Sequence, residues 1–288
     1  MPPRFLAVLL LAGGVIARGE TPTESAIALY RAKDFPAAKS AFEQLAATEP
    51  NNAETQFYLG VIAQRQADVD VAIQHLEHAT QLNPANSTYM LELGGAYGMA
   101  AKKAGLLSKM TWAKKCVAAL EQAVALDPES LIARNGLITY YREAPSFVGG
   151  GIDKAYVQAE EIRKRDPIMG AAILVQLYAS EKKWDKAFET YDDALKAHPD
   201  SYNLLFGLGR GSAQSGLFLE RGEQALRRCL ELTPGKGEPG PAAVRWRLGN
   251  IAELKKDLPS ARAEYEASLK ADPSFEAASA SLAKLSPE

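Results

Sequence analysis

The feature that most constrains the fold is a proline that returns at near-regular intervals along the chain. Seven such prolines, each preceded by a polar residue, lie 32 to 44 residues apart: Pro50, Pro84, Pro128, Pro167, Pro199, Pro234 and Pro273. The twelfth residue before each proline is small in all seven cases, and the eighth is bulky and apolar in six. Apolar positions at this spacing predict one face of an α-helix, which the proline then ends. An internal period of this length predicts a repeat architecture.

A Leu-Gly pair about ten residues after several of these prolines predicts a second helix in each repeat. The pair occurs at Leu59-Gly60, Leu93-Gly94 and Leu208-Gly209, with Leu248-Gly249 slightly later. Glycine costs a helix up to about 1 kcal/mol relative to alanine, so its presence needs a packing reason. We expect the glycine to let a partner helix approach closely, with the recurrent alanine of that helix filling the same seam.

A period near 34 residues with Leu-Gly, then Ala, a bulky residue, Ala and Pro resembles the tetratricopeptide repeat (TPR) family from Thr21 to about Pro273. The resemblance implies an all-α fold, a right-handed superhelical α-solenoid of about seven stacked antiparallel helix pairs with a C-terminal capping helix at 274–285. It implies one solenoid domain over residues 20–288, in which neighbouring pairs stabilise each other. The aromatic position near the start of each first helix departs from the family, with Gln56 and Met90 as examples.

The first 19 residues have the layout of a secretory signal peptide. Arg4 precedes an apolar run that starts at Phe5, and small residues lead to a cleavage point after Ala17 or Gly19. The apolar stretch of 13 residues is shorter than the roughly 18 that a membrane span needs, so we expect cleavage and no stable membrane insertion afterwards. The layout predicts an exported protein, periplasmic or secreted. An amphipathic or disordered N-terminus is the alternative.

The composition argues against several functions. With 33 Lys plus Arg against 35 Asp plus Glu, the chain lacks the broad basic surface that a nucleic-acid partner requires. Its two cysteines, Cys116 and Cys229, are too few for a disulfide scaffold, and we expect both to be buried thiols. His75 and His78 lie three apart on a helix but have no third ligand, so we predict no metal site. With no catalytic motif visible, we predict no enzyme activity and no cofactor.

The resemblance also implies where a partner would bind. In this family the first helix of each pair lines a concave groove, and aromatic, arginine and amide side chains there can anchor a peptide. For Phe57, Phe206 and Trp246, packing between repeats is the alternative. The candidate groove residues are Tyr30, Phe57, Arg65, Asn135, Arg142, Gln176, Asn203, Phe206, Arg210, Trp246 and Asn250.

An insertion of ten residues relative to the second repeat separates the two helices of the third, and it is basic. No acidic residue lies between Met99 and Leu120. A cluster of this charge can dock an anionic lipid or glycan, and a solvated, extended helix pair is the alternative. Within residues 101–115 the cluster consists of Lys102, Lys103, Lys109, Lys114 and Lys115.

A second insertion places Gly149-Gly150-Gly151 in a turn before a helix. Because it lacks the Gly-Lys-Ser/Thr ending of a phosphate loop, we expect a loop shaped for packing on its neighbour. Taken together, the sequence predicts a non-enzymatic adaptor that holds a protein or peptide partner in the cell envelope. An envelope-surface adaptor that uses the lysine insertion is the alternative, and an enzyme with an unrecognised site is a remote one. The partner, the pathway and the oligomeric state stay open.

Overall fold

The computed structural model describes residues 21–285, and the predicted signal peptide lies outside the described residues. Within this range the chain forms fifteen α-helices, a short 3-10 turn at Ser146–Val148 and no strand, which confirms the all-α class. The helices are α1 (Pro22–Arg31), α2 (Phe35–Thr48), α3 (Ala53–Arg65), α4 (Val69–Leu82), α5 (Ser87–Lys103), α6 (Leu106–Leu126), α7 (Leu131–Glu143), α8 (Ile152–Arg165), α9 (Pro167–Ser180), α10 (Trp184–Ala197), α11 (Tyr202–Ser215), α12 (Leu219–Glu231), α13 (Pro241–Leu254), α14 (Leu258–Ala271) and α15 (Glu276–Leu285).

Consecutive helices pack in seven pairs, from α1 with α2 to α13 with α14, and α15 packs on α14 as the capping helix. The predicted number of pairs is therefore confirmed. Six of the seven prolines follow the second helix of a pair, whereas Pro167 is the first residue of α9. Proline is well tolerated there because the first amide of a helix has no intrahelical acceptor. Asp166 ends α8 and caps α9, so these two helices join without a turn.

Polar caps explain where many of the helices begin. A side-chain oxygen just before the first turn accepts a hydrogen bond from a backbone N–H that would otherwise have no partner. Replacing such a cap by alanine typically costs about 1 kcal/mol. The residues that cap in this way are Thr21, Asp34, Asn52, Asp68, Asn86, Ser130, Asp166 and Asp257.

The glycine of the Leu-Gly pair lies against a large side chain, and the expectation that alanine fills this seam is wrong. A Cβ on Gly60 would stand 2.5 Å from Cγ of Leu76, and a Cβ on Gly209 would stand 2.2 Å from Cγ of Leu226. Leu76 and Leu226 are the bulky residues eight before a proline, and both are fully buried. Because glycine has no side chain, it leaves room for the large side chain of the second helix.

The described residues divide into two compact units between Leu126 and Asp127. In the first unit a buried cluster joins α1, α2 and α3 around Phe42 and Ile62. In the second unit the corresponding cluster runs from α9 to α13 around Leu204. Both clusters bury apolar helix faces against neighbouring pairs, as a repeat array requires. A single domain over 20–288 stays a prediction.

The basic insertion lengthens the third helix pair instead of forming a loop. Helix α5 has 17 residues and α6 has 21, and only Ala104 and Gly105 separate them. The connection between them is therefore the tip of an extended helical hairpin. No helix within residues 21–285 combines the length and the apolar character needed to cross a bilayer.

Candidate functional site

The candidate groove residues of the first unit make two different kinds of contact. Arg65 donates its Nε–H to the Tyr30 hydroxyl over 3.1 Å, and its guanidinium lies 5.0 Å from the ring centroid of Phe35. Phe57 is half-buried and stacks on Tyr89, with ring centroids 4.6 Å apart. The structure therefore brings Tyr30 and Arg65 together, whereas Phe57 of α3 packs against α5.

Five of the candidates on the second unit are exposed on the first helices of their pairs, and three of these lie outside the cleft that Gln176 and Arg210 line. Asn135 and Arg142 lie on α7, and Asn203 lies near the start of α11. The Arg142 guanidinium is 3.5 Å from the Glu143 carboxylate. Phe206 is partly buried and packs against the core of this unit. Asn135, Arg142 and Asn203 are thus accessible to a partner, and Phe206 contributes to packing.

Gln176 of α9 and Arg210 of α11 line the same cleft, whose floor is formed by α10. The cleft measures about 60 Å³. Small-molecule sites usually enclose about 300–1,000 Å³, so this cleft accommodates part of one side chain and no cofactor. Four polar or aromatic residues that share the cleft with the two predicted ones were not predicted from the sequence: Trp184, Phe188, Tyr191 and Gln214.

The glycine spacing in α11 is the sequence feature that could have indicated the cleft. Gly207 and Gly211 are four residues apart, which places them on one helix face toward α10. A Cβ on Gly207 would stand 2.6 Å from the Tyr191 hydroxyl, so glycine makes room for that ring. Burial raises the pKa of the Tyr191 phenol to about 12, and the positive charge and hydrogen bond of Arg210 oppose the increase. A neutral hydroxyl is therefore held beside a guanidinium in the cleft.

The candidates on α13 are tied to the helices that follow them. Trp246 donates its Nε1–H to the Ser281 hydroxyl of α15 over 3.1 Å, and Asn250 donates its amide N–H to the Tyr265 hydroxyl over 2.9 Å. Arg247, which the sequence analysis did not select, lies with its guanidinium 4.1 Å from the Trp246 ring centroid. Trp246 is thus part of the packing and also a platform for an arginine.

The five lysines of the insertion have different environments. Lys103 donates to the backbone oxygen of Ala67 over 2.8 Å. Lys115 pairs with Glu77 at 3.2 Å and also lies over the Trp112 ring. The exposed side chains of Lys109 and Lys114 form no ion pair or hydrogen bond with another of the described residues, and Lys102 is exposed near the end of α5.

The tip of this hairpin exposes two adjacent leucines. Leu106 and Leu107 are 78% and 82% exposed, the highest values among the large apolar side chains of residues 21–285. They are the first residues of α6 and precede Lys109 by three and two positions, respectively. The tip therefore combines apolar area with positive charge.

The backbone amides of the glycine turn before α8 all donate hydrogen bonds within the fold. Gly149 and Gly150 donate to the backbone oxygens of Ser146 and Pro145, and Gly151 donates to that of Tyr141 over 2.8 Å. A Cβ on Gly150 would stand 1.8 Å from the Ala144 carbonyl oxygen, so only glycine fits there. Because the three amides already have acceptors, the turn has a packing geometry and offers no anion cradle.

The histidine and cysteines considered as metal ligands or reactive groups are buried or hydrogen-bonded within the fold. His75 Nδ1 lies 2.7 Å from the Gln56 side-chain oxygen. Cys116 and Cys229 are free and buried, as predicted, and burial raises their thiol pKa values to about 11 and about 12. In the part of the chain that the structure describes, no three His, Cys, Asp or Glu side chains gather as metal ligands.

Comparisons with known proteins identify the repeats. One family model described as tetratricopeptide repeat matches residues 23–87 and 217–274, and a second with the same description matches residues 174–201. Together they cover a little over half of the chain. "Cellulose synthase operon protein C" of Pseudomonas fluorescens strain SBW25 is 31% identical over 123 residues, which are 40% of this chain. The match spans 9% of the length of that relative.

Solved structures with the same fold cover nearly the whole chain. A tetratricopeptide repeat protein from Parabacteroides merdae is 14% identical with a TM-score of 0.56, over 92% of this chain and 96% of that one. The C-terminal part of a TPR repeat-containing protein from Cytophaga hutchinsonii is 18% identical with a TM-score of 0.61, over 90% and 99%. At these identities the similarity establishes the fold alone.

Proposed function

Because the chain belongs to the tetratricopeptide repeat family, we propose that it is a non-enzymatic adaptor that binds an extended protein or peptide partner on the first helices of its pairs. Proteins built from these repeats generally act as interaction scaffolds, so the family supports a binding role. Fold alone does not assign function, and the proposal rests on a site.

The cleft between α9, α10 and α11 is the observation that carries the proposal. It offers amide groups from Gln176 and Gln214, a guanidinium from Arg210 and an indole from Trp184 around a space of about 60 Å³. Amides can hydrogen-bond a peptide backbone, and a small recess beside an aromatic side chain can seat one partner side chain. Its size excludes a drug-sized ligand and is suited to one anchor side chain of a longer chain.

A binding comparison with two triple variants tests this role. The cleft variant is Gln176→Ala, Arg210→Ala and Gln214→Ala, and the matched control on the exposed face of α10 is Glu189→Ala, Asp193→Ala and Lys196→Ala. Partners captured from envelope extract by the protein are quantified for each form. We expect the cleft variant alone to lose the partner. Equal retention by all three forms would overturn the proposal.

Export to the cell envelope is part of the proposal. It is supported by the basic, apolar and small-residue segments of residues 1–19. The relative in Pseudomonas fluorescens is named for a cellulose synthase operon, and because the match spans 9% of its length we carry over no specific role from it. Expression with a C-terminal tag and N-terminal sequencing of the mature form tests this part. A start near Arg18 or Glu20 supports export, and an intact N-terminus in the cytoplasm contradicts it.

The tip of the α5–α6 hairpin favours a second candidate function, docking on an anionic lipid surface. Leu106 and Leu107 are exposed next to the unpaired Lys109, and residues 93–120 contain no acid. Lysines near an anionic surface contribute about 1 kcal/mol each, and buried leucine side chains add an apolar contribution. The two residue types together favour a lipid surface over a glycan.

Sedimentation with vesicles separates this candidate from groove binding. We expect binding to phosphatidylglycerol vesicles that high salt weakens, and loss of that binding in Leu106→Ser/Leu107→Ser and in Lys109→Gln/Lys114→Gln. Lys164→Gln/Lys196→Gln removes the same charge elsewhere and serves as the control. Equal sedimentation with neutral phosphatidylcholine vesicles, or none with either, would exclude the candidate.

A further inference from the structure

Four large apolar side chains are exposed at the turns inside the last two helix pairs. Leu217 and Phe218 lie between α11 and α12, and Leu254 and Leu258 flank the turn between α13 and α14. Their exposed fractions are 42, 40, 47 and 53% in chain order. Neighbouring exposed side chains of this size usually mark a surface that contacts a partner or a membrane. Neither the cleft between α9, α10 and α11 nor the tip of the α5–α6 hairpin includes them.

Contacts between the helices place these two turns next to each other. Lys255, in the turn before α14, pairs with Glu223 of α12 at 2.9 Å and with Glu220 at 3.6 Å. A Cβ on Gly222 of α12 would stand 3.2 Å from the Cδ1 atom of Ile251 on α13. The start of α12 therefore adjoins the end of α13, and the apolar side chains belong to adjacent turns.

The turn between α9 and α10 continues this edge of the second unit. The ring centroids of Phe218 and Phe188, which lies in the second turn of α10, are 4.5 Å apart. We call residues 181–186, 216–221 and 253–258 the turn edge.

The turn edge carries lysines that are not neutralised by neighbouring acids. Lys182, Lys186 and Lys256 are exposed, and none of them forms an ion pair with another residue of the described range 21–285. The other three basic side chains of the edge do form ion pairs. They are Lys183, Arg221 and Lys255.

The turn edge contains five carboxylates, and four of them already bind another group of the fold. Each of the four accepts a hydrogen bond, forms an ion pair or caps a helix: Glu181, Glu220, Glu253 and Asp257. The fifth, Asp185, is exposed in the first turn of α10, where the helix dipole favours a negative charge. Three lysines outside ion pairs therefore outweigh one such carboxylate.

Lysine beside exposed leucine and phenylalanine favours a lipid surface over a protein partner. Protein interfaces are depleted of lysine, whereas segments that lie on anionic membranes combine lysine with large apolar side chains. A lysine can extend its amino group to the lipid phosphates while its stem lies along the apolar layer. A second copy bound at this edge would place lysines against lysines, which is unfavourable.

We propose that the turn edge docks on an anionic lipid bilayer. The four apolar side chains enter the boundary between headgroups and acyl chains, and Lys182 and Lys256 bind lipid phosphates. This surface consists of other residues than the tip of the α5–α6 hairpin and belongs to the second unit. It therefore adds a lipid contact to the candidate function of that tip and is independent of peptide binding in the cleft.

A fluorescent label at position 258 reports contact of the turn edge itself. Cys116 and Cys229 are buried and their thiol pKa values are raised, so the cysteine of a Leu258→Cys variant reacts selectively with the environment-sensitive dye NBD. The matched control is Val157→Cys, since Val157 is 59% exposed on α8. Mature chain carrying either label is mixed with phosphatidylglycerol vesicles or with phosphatidylcholine vesicles. Circular dichroism melts check that the labelled proteins are folded.

We expect phosphatidylglycerol vesicles to raise the emission at position 258 about twofold or more, as the dye enters the apolar layer, and to leave position 157 unchanged. Lys182→Gln/Lys256→Gln should raise the lipid concentration at half-response about tenfold, because each lysine adds binding free energy at an anionic surface. Lys164→Gln/Lys196→Gln removes the same charge elsewhere and should have no effect. An equal response to phosphatidylcholine would overturn the inference, as would a response that needs no lipid and grows with protein concentration, which would indicate a second copy.

Sedimentation of the same samples separates this inference from the candidate function of the hairpin tip. Sedimentation with phosphatidylglycerol vesicles without a response at position 258 would overturn the inference and leave the tip supported. A response at position 258, with Leu106→Ser/Leu107→Ser sedimenting like the wild type, would support the turn edge and exclude the tip. Neither response nor sedimentation would contradict both.

Discussion

The His75 imidazole is hydrogen-bonded to the side chain of Gln56, with Nδ1 2.7 Å from Oε1. The Gln56 amide nitrogen donates to the Pro50 carbonyl oxygen over 2.8 Å, so its oxygen faces the imidazole and Nδ1 carries the proton. Gln56 occupies the position where the repeat family usually has an aromatic residue. A polar bridge between the two helices of the pair therefore replaces an aromatic ring.

The same bridge recurs in two other repeats. Arg134 is equivalent to Gln56, since it binds the Pro128 carbonyl oxygen at 2.8 and 3.0 Å and donates to Gln158 over 2.7 Å. Arg245 pairs with Glu264 in the last repeat. In all three cases the partner lies on the second helix, nine residues before the proline that ends the repeat. Divergence at the aromatic position is thus offset by a polar contact at a fixed place in the pair.

Lowering the pH should destabilise the second repeat through protonation of His75. Burial lowers the pKa of this imidazole, and the positive charges of His78 and Lys39 lower it further while Glu43 opposes them. Since the folded-state pKa lies below the unfolded value of about 6.5, this contribution is complete above that pH and is lost as pH falls through the folded pKa. Urea unfolding at pH 7.5 and 5.5 measures the change. We expect the free energy of unfolding to decrease less between pH 7.5 and 5.5 for His75→Gln than for the wild type or His78→Gln. Equal decreases would refute the assignment.

Two glycines of the second unit should respond oppositely to alanine. A Cβ on Gly170 would stand 2.2 Å from the Arg163 Cα, and backbone of α8 cannot move aside. A Cβ on Gly211 would be 3.8 Å from its nearest neighbours, an ordinary contact. We expect Gly170→Ala to lose about 1–3 kcal/mol or more through overpacking, and Gly211→Ala to gain up to about 1 kcal/mol of helix propensity. Urea unfolding midpoints compare them, and the reverse order would contradict this packing.

Gly207→Ala should alter the cleft as well as destabilise the fold. The added methyl group would meet the hydroxyl end of Tyr191 at 2.6 Å, so the ring must shift away from Arg210. We expect weaker partner binding together with a destabilisation of about 1–3 kcal/mol, because Tyr191 is 4% exposed and has little room to move. Titration of a bound peptide into Gly207→Ala and Gly211→Ala provides the comparison. Unchanged affinity in Gly207→Ala would show that the Tyr191 position is irrelevant to binding.

Removing the charge of Arg247 should not destabilise the free protein. The guanidinium is half-buried, burial lowers its pKa and the positive charge of Arg210 lowers it further, and Nε is unsatisfied, so its charge costs free energy in the folded protein. We expect Arg247→Gln to unfold at an equal or higher urea concentration than the wild type. A loss of more than about 1 kcal/mol would mean that Arg247 has a structural role instead.

Much of the fold follows from the spacing of small and large residues, because each repeat must place them at one seam between two helices. Pro167 is the first residue of α9, whereas the repeat period predicts that this helix begins later. Proline is favourable in the first turn of a helix as well as after its last residue. The extended hairpin at Leu106 matches one of the two alternatives for the insertion, a solvated, extended helix pair, but the repeat period alone did not decide between them. Repeat spacing thus predicts helix pairs better than it predicts how an insertion is accommodated.

The candidate site was only partly predictable, because the family pattern selects a helix face and not the neighbours of a side chain. Gln176 and Arg210 were selected and share a cleft. Tyr191 was not, since its place in the cleft depends on the room that Gly207 of α11 leaves for its ring. Such contacts are decided by packing between helices, which a single sequence does not display.

Photo-crosslinking from inside the cleft tests the central claim most directly. The probe p-benzoylphenylalanine replaces Gln214 in the cleft wall or, as the control, Arg163 on the exposed side of α8, and native cells are irradiated. We expect the probe at position 214 to form a defined covalent adduct with a partner protein and the probe at position 163 to form none. A partner captured equally at both positions, or captured only at position 163, would contradict a binding groove on the first helices.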